Sequence, residues 1–287
     1  NAVLHRVSVD EFDSSFNRTM EKNRNINFPK TFFVSPAKPV TQPYWLAQKM
    51  EEGYFNVSDQ QLIGQPDVTP SYVVAVGITI YGDPCPFTRP VRYKFTDPVH
   101  GELYEPLVVL PPVLVSPDEK IKMSKNSNSF TGVLNLTGKK KGFQTSLKGV
   151  GKEETDDASV QFSTENLSFD EKNRTIPVAY TIEAHKDNVY HFAVDASNGR
   201  KDLYFLGMKE IKYDHVPYIN YFTPAVVVNR KLDLKTYGTK IGYIVGAGDK
   251  VPEGLEQMGY EVTLLTDKEL SRNNLDRFDA IITGVRA

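Results

Sequence analysis

Over residues 1–115 the apolar positions come in short blocks bounded by Pro, Gly and Asp. TFFVSP, SYVVAVGITIYG, RPVRYKFT and EPLVVLPPVLVS are rich in Val, Ile, Tyr, Phe and Thr, which is strand composition. In VRYKF, Val91, Tyr93 and Phe95 share one face while Arg92 and Lys94 share the other. That alternation predicts a half-exposed antiparallel strand. Pro84, Pro86 and Pro90 argue against helix. Pro111-Pro112 within LVVLPPVLV predicts a stiff, extended exit towards a second unit.

The same cadence continues through residues 116–220. IKMS, TGVLNLTG, FQTSLKG, ASVQFST, TIPVAYTIEA, YHFAVDA and KDLYFLGMKEI are short, closely spaced strand candidates, as in a β-sandwich of immunoglobulin-like size. Ser197-Asn198-Gly199 suits a hairpin turn, since Asn and Gly tolerate positive φ. Lys139-Lys140-Lys141 read as a solvated loop. YDHVPYINYFTPAVVVNRKLD, residues 213–233, reads as a connector punctuated by Pro217 and Pro224.

The period then changes. KIGYIV is a continuous apolar run of the kind buried in a parallel sheet. In DKVPEGLEQMG, Val251, Leu255 and Met258 recur at helical spacing, Pro252 fits a first turn and Gly259 fits a C-cap. YEVTLLT and DAIITGV read as further strands, with DKELSRNNLDRF as a short helix or turn between them. Residues 221–287 thus predict a β-α-β-α-β segment, Rossmann-like in order but short of a full open sheet. The expected fold class is mainly β with a C-terminal α/β piece. It comprises two β-sandwich, immunoglobulin-like units, the first open to lacking N-terminal strands, followed by the truncated α/β segment. About 50 residues make little core, so that segment should lean on the second sandwich, pair with another chain, or be poorly ordered.

Composition narrows the function classes. Of 287 residues, 40% are hydrophobic and 24% charged, and the formal net charge is −2. Ordinary globular cores are therefore affordable, and no global charge draws nucleic acid or an anionic membrane. No apolar run approaches the roughly 18 residues of a spanning helix. The single cysteine, Cys85, excludes an internal disulfide and a cysteine-based zinc site. The first residues form neither a basic leader nor a signal core, which suggests a cut inside a longer protein. Five Asn-x-Ser/Thr sequons, at Asn17, Asn56, Asn135, Asn166 and Asn173, would matter only in a glycosylating host.

Few motifs carry chemistry. Gly246-Ala247-Gly248 follows a predicted strand, but a dinucleotide fingerprint needs a third glycine at position 251, where Val stands. Two readings remain: a tight strand-to-helix turn, or an anion site at the helix start. Asp249 disfavours a phosphate and would suit an N-cap. His5, His100, His185, His191 and His215 lack the i, i+2 and i, i+4 spacings that set metal ligands on one face. His185 and His191 flank a bend and could approach each other. Cys85, between two prolines in a loop, lacks the helix start or paired histidine of a reactive thiol. There is no Gly-x-Ser-x-Gly elbow, and no carboxylate pair stands out. Gln42-Pro43-Tyr44-Trp45-Leu46 holds the one tryptophan, with Tyr54-Phe55 close behind. Tyr44 and Trp45 are the candidate ligand-binding residues, as an aromatic platform for a sugar ring or a partner. The alternative is packing within a long loop.

Several stretches together resemble one family. QPYWL, DQQLIGQPD, RPVRYKFTDPVHGELYEPLVVLPPV, IKYDHVPY, KIGYIVGAGDKVPEGLEQMGYEVTLL and FDAIITGVRA occur in this order. They look like the region after the catalytic domain in large PIG-L (LmbE-like) deacetylases, chiefly of Bacteroidetes. The resemblance implies a parent with a zinc-dependent N-deacetylase domain acting on amino-sugar-type substrates, then β-sandwiches, then a class I glutamine-amidotransferase-like domain. The family's His-Pro-Asp-Asp zinc motif is absent from this sequence, so no catalytic, cofactor or metal residue is assigned in it. Zinc is expected in the parent's catalytic domain, which would be this region's partner, along with a glycan, in a periplasmic or exported setting. The expected function is a non-catalytic accessory region that positions the catalytic domain or binds glycan. A stand-alone carbohydrate-binding or adhesin-like double sandwich is the alternative. A nucleotide-binding enzyme using Gly246 and Gly248 is a third reading.

Overall fold

The computed structural model describes residues 2–10, 12–35, 37–65, 68–125, 127–151, 159–196, 203–270 and 275–287. The expected turn at Ser197-Asn198-Gly199 lies outside them. The protein is mainly β. Its chain divides into two compact units, Asn1–Pro111 with Met208–Thr223, and Pro112–Gly207 with Pro224–Ala287.

Unit 1 holds β1 (Ala2–Val9), β2 (Phe12–Met20), β3 (Val73–Ile80), β4 (Asp83–Pro90), β5 (Arg92–Asp97) and β6 (Gly101–Pro106). The first four form an antiparallel sheet in the order β2-β1-β3-β4, while β5 and β6 make a separate antiparallel ribbon. Strand β4 explains the prolines. Pro84, Pro86 and Pro90 stand at alternate positions opposite Thr79, Gly77 and Val73. Their missing N–H groups therefore all face the open side of an edge strand, where no ladder bond is lost. Cys85 accordingly lies in this strand, exposed, rather than in a loop. The alternation read in VRYKF is present in β5, but Tyr93 is 54% exposed and stacks on Phe95 at 5.6 Å. TFFVSP is not a strand: residues 31–35 have no regular structure. The small core joins Val9, Tyr72 and Val109, with Val74, Val91 and Leu107 against it.

Unit 2 opens with β7 (Val113–Pro117), β8 (Ile121–Lys125), β9 (Ser129–Gly138), β10 (Phe143–Gly151), β11 (Ser159–Phe162), β12 (Asn166–Phe169), β13 (Thr175–Glu183), β14 (Asn188–Ala196) and β15 (Leu203–Tyr204). The chain then enters unit 1 along β16 (Leu206–Ile211), leaves along β17 (Ile219–Pro224), and returns to unit 2 in β18 (Val226–Leu232). The stretch 213–233, expected as a connector, thus supplies two strands. Two sheets share one core in unit 2. One runs β12-β10-β14-β18-β8, with β15 on β14, and the other runs β11-β13-β9-β7. Phe192 of β14 meets Tyr180 of β13 at 4.9 Å and Phe162 of β11 at 6.1 Å, across the sheets. Val113, Leu134, Leu136, Val178, Ile182 and Val194 are fully buried with them. Strand β18 pairs antiparallel with β14 and parallel with β8, Val228 opposite Ile121.

The last stretch holds β19 (Lys240–Ile244), α1 (Val251–Gln257), β20 (Glu261–Leu265), α2 (Asp267–Leu270) and β21 (Ala280–Thr283). Its three strands are parallel, in the order β20-β19-β21. Ile241, Tyr243 and Leu265 are buried, and α1 lies against both β20 and β8. This segment therefore leans on the unit 2 sandwich. No helix among the described residues is long and apolar enough to cross a membrane.

Candidate functional site

The two residues singled out by sequence lie in the long loop between β2 and β3. Pro43, at φ −56° and ψ 137°, sets the entry to a 3₁₀ turn at Tyr44–Leu46. The loop is tied down just before it. Thr41 donates its N–H to Val109 O at 3.1 Å, and its hydroxyl accepts Val109 N–H at 2.9 Å. Asn220 Nδ2 donates to Thr41 O at 2.8 Å, and Gln42 Oε1 accepts Phe222 N–H at 2.9 Å. These bonds satisfy backbone groups that a loop would otherwise leave to water, and they fix the base from which Tyr44 and Trp45 project.

A second turn brings more aromatics back. Glu51 N–H donates to Tyr54 O at 3.1 Å around Gly53, whose φ of +86° suits glycine. Phe55 then meets Trp45 edge to face, with centroids 5.0 Å apart at 75°. Tyr44 and Trp45 are half-buried, whereas Tyr54 and Phe55 are 59% and 45% exposed. The site is thus a ledge built on the Trp45–Phe55 pair, with Tyr44 and Tyr54 as their chain neighbours, and sequence reasoning had weighted its less exposed half. Polar side chains of the same loop bond one another: Gln48 Nε2 donates to Ser58 Oγ, and Asn56 Nδ2 donates to Glu51 Oε1 at 3.4 Å. Ring faces attract the polarised C–H groups of a sugar through their quadrupole, and amide and carboxylate groups alongside can bind its hydroxyls.

The other candidates are accounted for individually. His5 bonds Thr79 Oγ1 at 2.8 Å, His100 Nδ1 lies 3.0 Å from Asp97 Oδ1, and His185 bonds Asn128 at 2.9 Å. His191 stands exposed in β14, and His215 stacks loosely on Tyr213 at 5.8 Å. Among the described residues no three His, Cys, Asp or Glu side chains are grouped to hold a metal ion.

At the glycine turn, a Cβ on Gly246 would lie 2.5 Å from the backbone of Val285, and Ala247 N–H donates to Val285 O at 2.8 Å. Glycine is required there because two loops pack backbone to backbone, which favours the tight-turn reading. Asp249 does not cap α1. Its Oδ1 accepts the Tyr243 hydroxyl at 2.8 Å, and the residue at the N-cap of α1 is Lys250, which makes no side-chain cap bond. Burial first, and then that bond, push the Tyr243 phenol above its ordinary range.

Comparison with known proteins adds little. No protein-family model matches the chain, and no curated protein matches it significantly. Among solved structures, the secreted serine protease VesC from Vibrio cholerae superposes with a TM-score of 0.24 and 17% identity, over 43% of this chain and 24% of the protease. Domains 4 and 5 of the S-layer protein SbsC superpose with a TM-score of 0.23 and 9% identity, over 56% of this chain and 65% of that one. The chain thus spans less than two thirds of either, and scores of this size carry no argument about fold or function.

Proposed function

We propose that the chain is an accessory, non-catalytic β region of a PIG-L-type N-deacetylase, and that it engages glycan through the Tyr44–Trp45 ledge. The family assignment rests on the ordered sequence stretches QPYWL, DQQLIGQPD, Arg89–Val113 and Lys240–Ala287. The glycan role rests on one observation: the edge-to-face contact of Trp45 with Phe55, next in sequence to the exposed Tyr54, in a loop that also carries the Asn56 amide and the Glu51 carboxylate. In this reading zinc and deacetylation belong to the parent's catalytic domain, and no residue of this chain takes part in them. The β units are immunoglobulin-like, and the parallel β20-β19-β21 sheet opens an amidotransferase-like domain. The setting is periplasmic or exported.

Two experiments test this. With zinc and N-acetylated amino sugars, the chain should release no acetate; turnover would refute the non-catalytic reading. On a glycan array it should bind, and Trp45→Ala should abolish the signal. Binding that survives the substitution would refute the ledge.

A further inference from the structure

A cleft lies elsewhere on unit 1, beside the turn joining β1 and β2. It encloses about 350 Å³. Its two lysines are in different states. Lys38 Nζ pairs with Asp10 Oδ2 and stands 3.5 Å from the centroid of Tyr72, with its side chain only 18% exposed. That charge is neutralised and held within the wall. Asp10 occupies the left-handed region at φ 44°, a cost offset in part by this ion pair. Lys30 is different. It is exposed, its Nζ lies 4.8 Å over the Phe12 ring, and no described carboxylate pairs with it. A ring face attracts a cation without neutralising it, so among the described lining residues the charge left unneutralised is that of Lys30.

The rest of the lining is apolar surface with a few hydroxyls. Phe32 meets Phe12 at 6.3 Å and Tyr72 at 6.2 Å, which fixes the floor. Phe33 is 82% exposed, an unusual position for a phenylalanine beside a cleft. Thr31 and Ser35 line the same space. A positive charge, an uncovered ring and adjacent hydroxyls ask for a ligand with an anionic group, a flat apolar face and hydroxyls of its own.

We infer that this cleft is a binding site for an acidic sugar, a pyranose bearing a carboxylate or a sulfate ester. The anionic group pairs with Lys30, the C–H face of the ring lies on Phe33, and hydroxyls reach Thr31 and Ser35. A cationic ligand meets Lys30 with the wrong sign. A neutral sugar leaves the ammonium unused, so charge is the discriminating feature. The inference is independent of the Tyr44–Trp45 ledge, which draws on none of these residues.

The test is an amide-resolved NMR titration of the whole chain with methyl glucuronide, a sulfated methyl glucoside and neutral methyl glucoside. The acidic probes should shift the amides of Lys30, Thr31 and Phe33, more strongly at low salt, while the neutral probe leaves them in place. Whichever acidic probe binds more tightly identifies the anionic group. Lys30→Gln should weaken acidic binding about tenfold, the loss expected for one charge-assisted hydrogen bond. Phe33→Ala, which disturbs no buried surface, should weaken it as well. Trp45 fluorescence should stay constant throughout, which separates this site from the ledge. Equal binding of the neutral probe, no shifts at residues 30–33, or unchanged affinity in Lys30→Gln would overturn the inference.

Discussion

Gln257 on α1 accepts the Met123 backbone N–H of β8 at 2.7 Å. The same side chain donates through Nε2 to Glu119 at 2.9 Å, and Glu119 also receives Lys122 Nζ at 2.6 Å. Strand β8 ends its sheet, so Met123 would otherwise present an edge donor. One amide thus closes a sheet edge and fastens the C-terminal segment to the sandwich. Gln257→Leu keeps the bulk and removes both bonds. It should loosen residues 240–287 by about 1–3 kcal/mol, seen as faster amide exchange and protease cutting there, with the sandwich amides unchanged. Unaltered protection of 240–287 would show that the docking lies elsewhere.

Asn229 is fully buried in β18, yet polar. Its Oδ1 accepts Asn188 N–H at 2.7 Å and its Nδ2 donates to Lys186 O at 3.0 Å. Lys186 lies in the bend before β14 and Asn188 is the strand's first residue, opposite Asn229, so the amide sets where β18 meets β14. Asn229→Ala should cost about 2 kcal/mol, because backbone groups lose their partners inside the protein. Chemical denaturation should show an earlier midpoint with an unchanged slope.

Gly132 lies opposite Tyr180 in the β9–β13 pair, and a Cβ there would stand 2.4 Å from the phenol oxygen. Tyr180 is 2% exposed and locked against Phe192, so it cannot swing away. Gly132→Ala should destabilise unit 2 by roughly 1–3 kcal/mol through overpacking. The double variant Gly132→Ala with Tyr180→Leu should lose less than the two single losses summed, since the phenol oxygen, Cζ and Cε1, which that Cβ would meet at 2.4, 2.5 and 2.8 Å, are all gone. Additive losses in thermal unfolding would contradict the contact.

Asp279 gives the C-terminal sheet a pH dependence. Its Oδ2 accepts the N–H groups of Lys240 at 2.8 Å and Thr239 at 2.7 Å, at the start of β19. Those two bonds hold its carboxyl below the ordinary carboxylate range. A depressed folded value means the stabilisation is complete above the unfolded value of ~3.9 and is lost as pH falls through the folded one. Amide exchange in β19, corrected for intrinsic rates, should therefore report loosening only below about pH 4. Asp279→Asn should weaken the strand at neutral pH and flatten this acid response. An identical acid response in the variant would assign it to another group.

The strands of unit 2 were legible where burial alternates. In TIPVAYTIE, Val178, Tyr180 and Ile182 face the core at every second position, and the written sequence shows it. In β1 a bulge between Leu4 and Arg6 shifts the register. The alternation breaks there, and the strand carries no clean period. Strand β18 was hidden because Pro217 and Pro224 flank the approach to it, and its parallel pairing with β8 joins residues more than a hundred positions apart. TFFVSP had strand composition without a partner. At the ledge, the single tryptophan drew attention to Tyr44 and Trp45. The return of Phe55 depends on a turn at Gly53 that no hydrophobic pattern encodes, and the juxtaposition of Lys30 with Phe12 is equally non-local.

In the proposed function Tyr44 and Trp45 form part of a glycan-binding ledge. Because Trp45 is the chain's one tryptophan, its emission reports on that ledge alone. Titration of the whole chain with array-positive glycans should shift or quench Trp45 emission saturably, and Phe55→Ala should weaken the effect. Emission that stays constant while the glycan demonstrably binds would contradict the account.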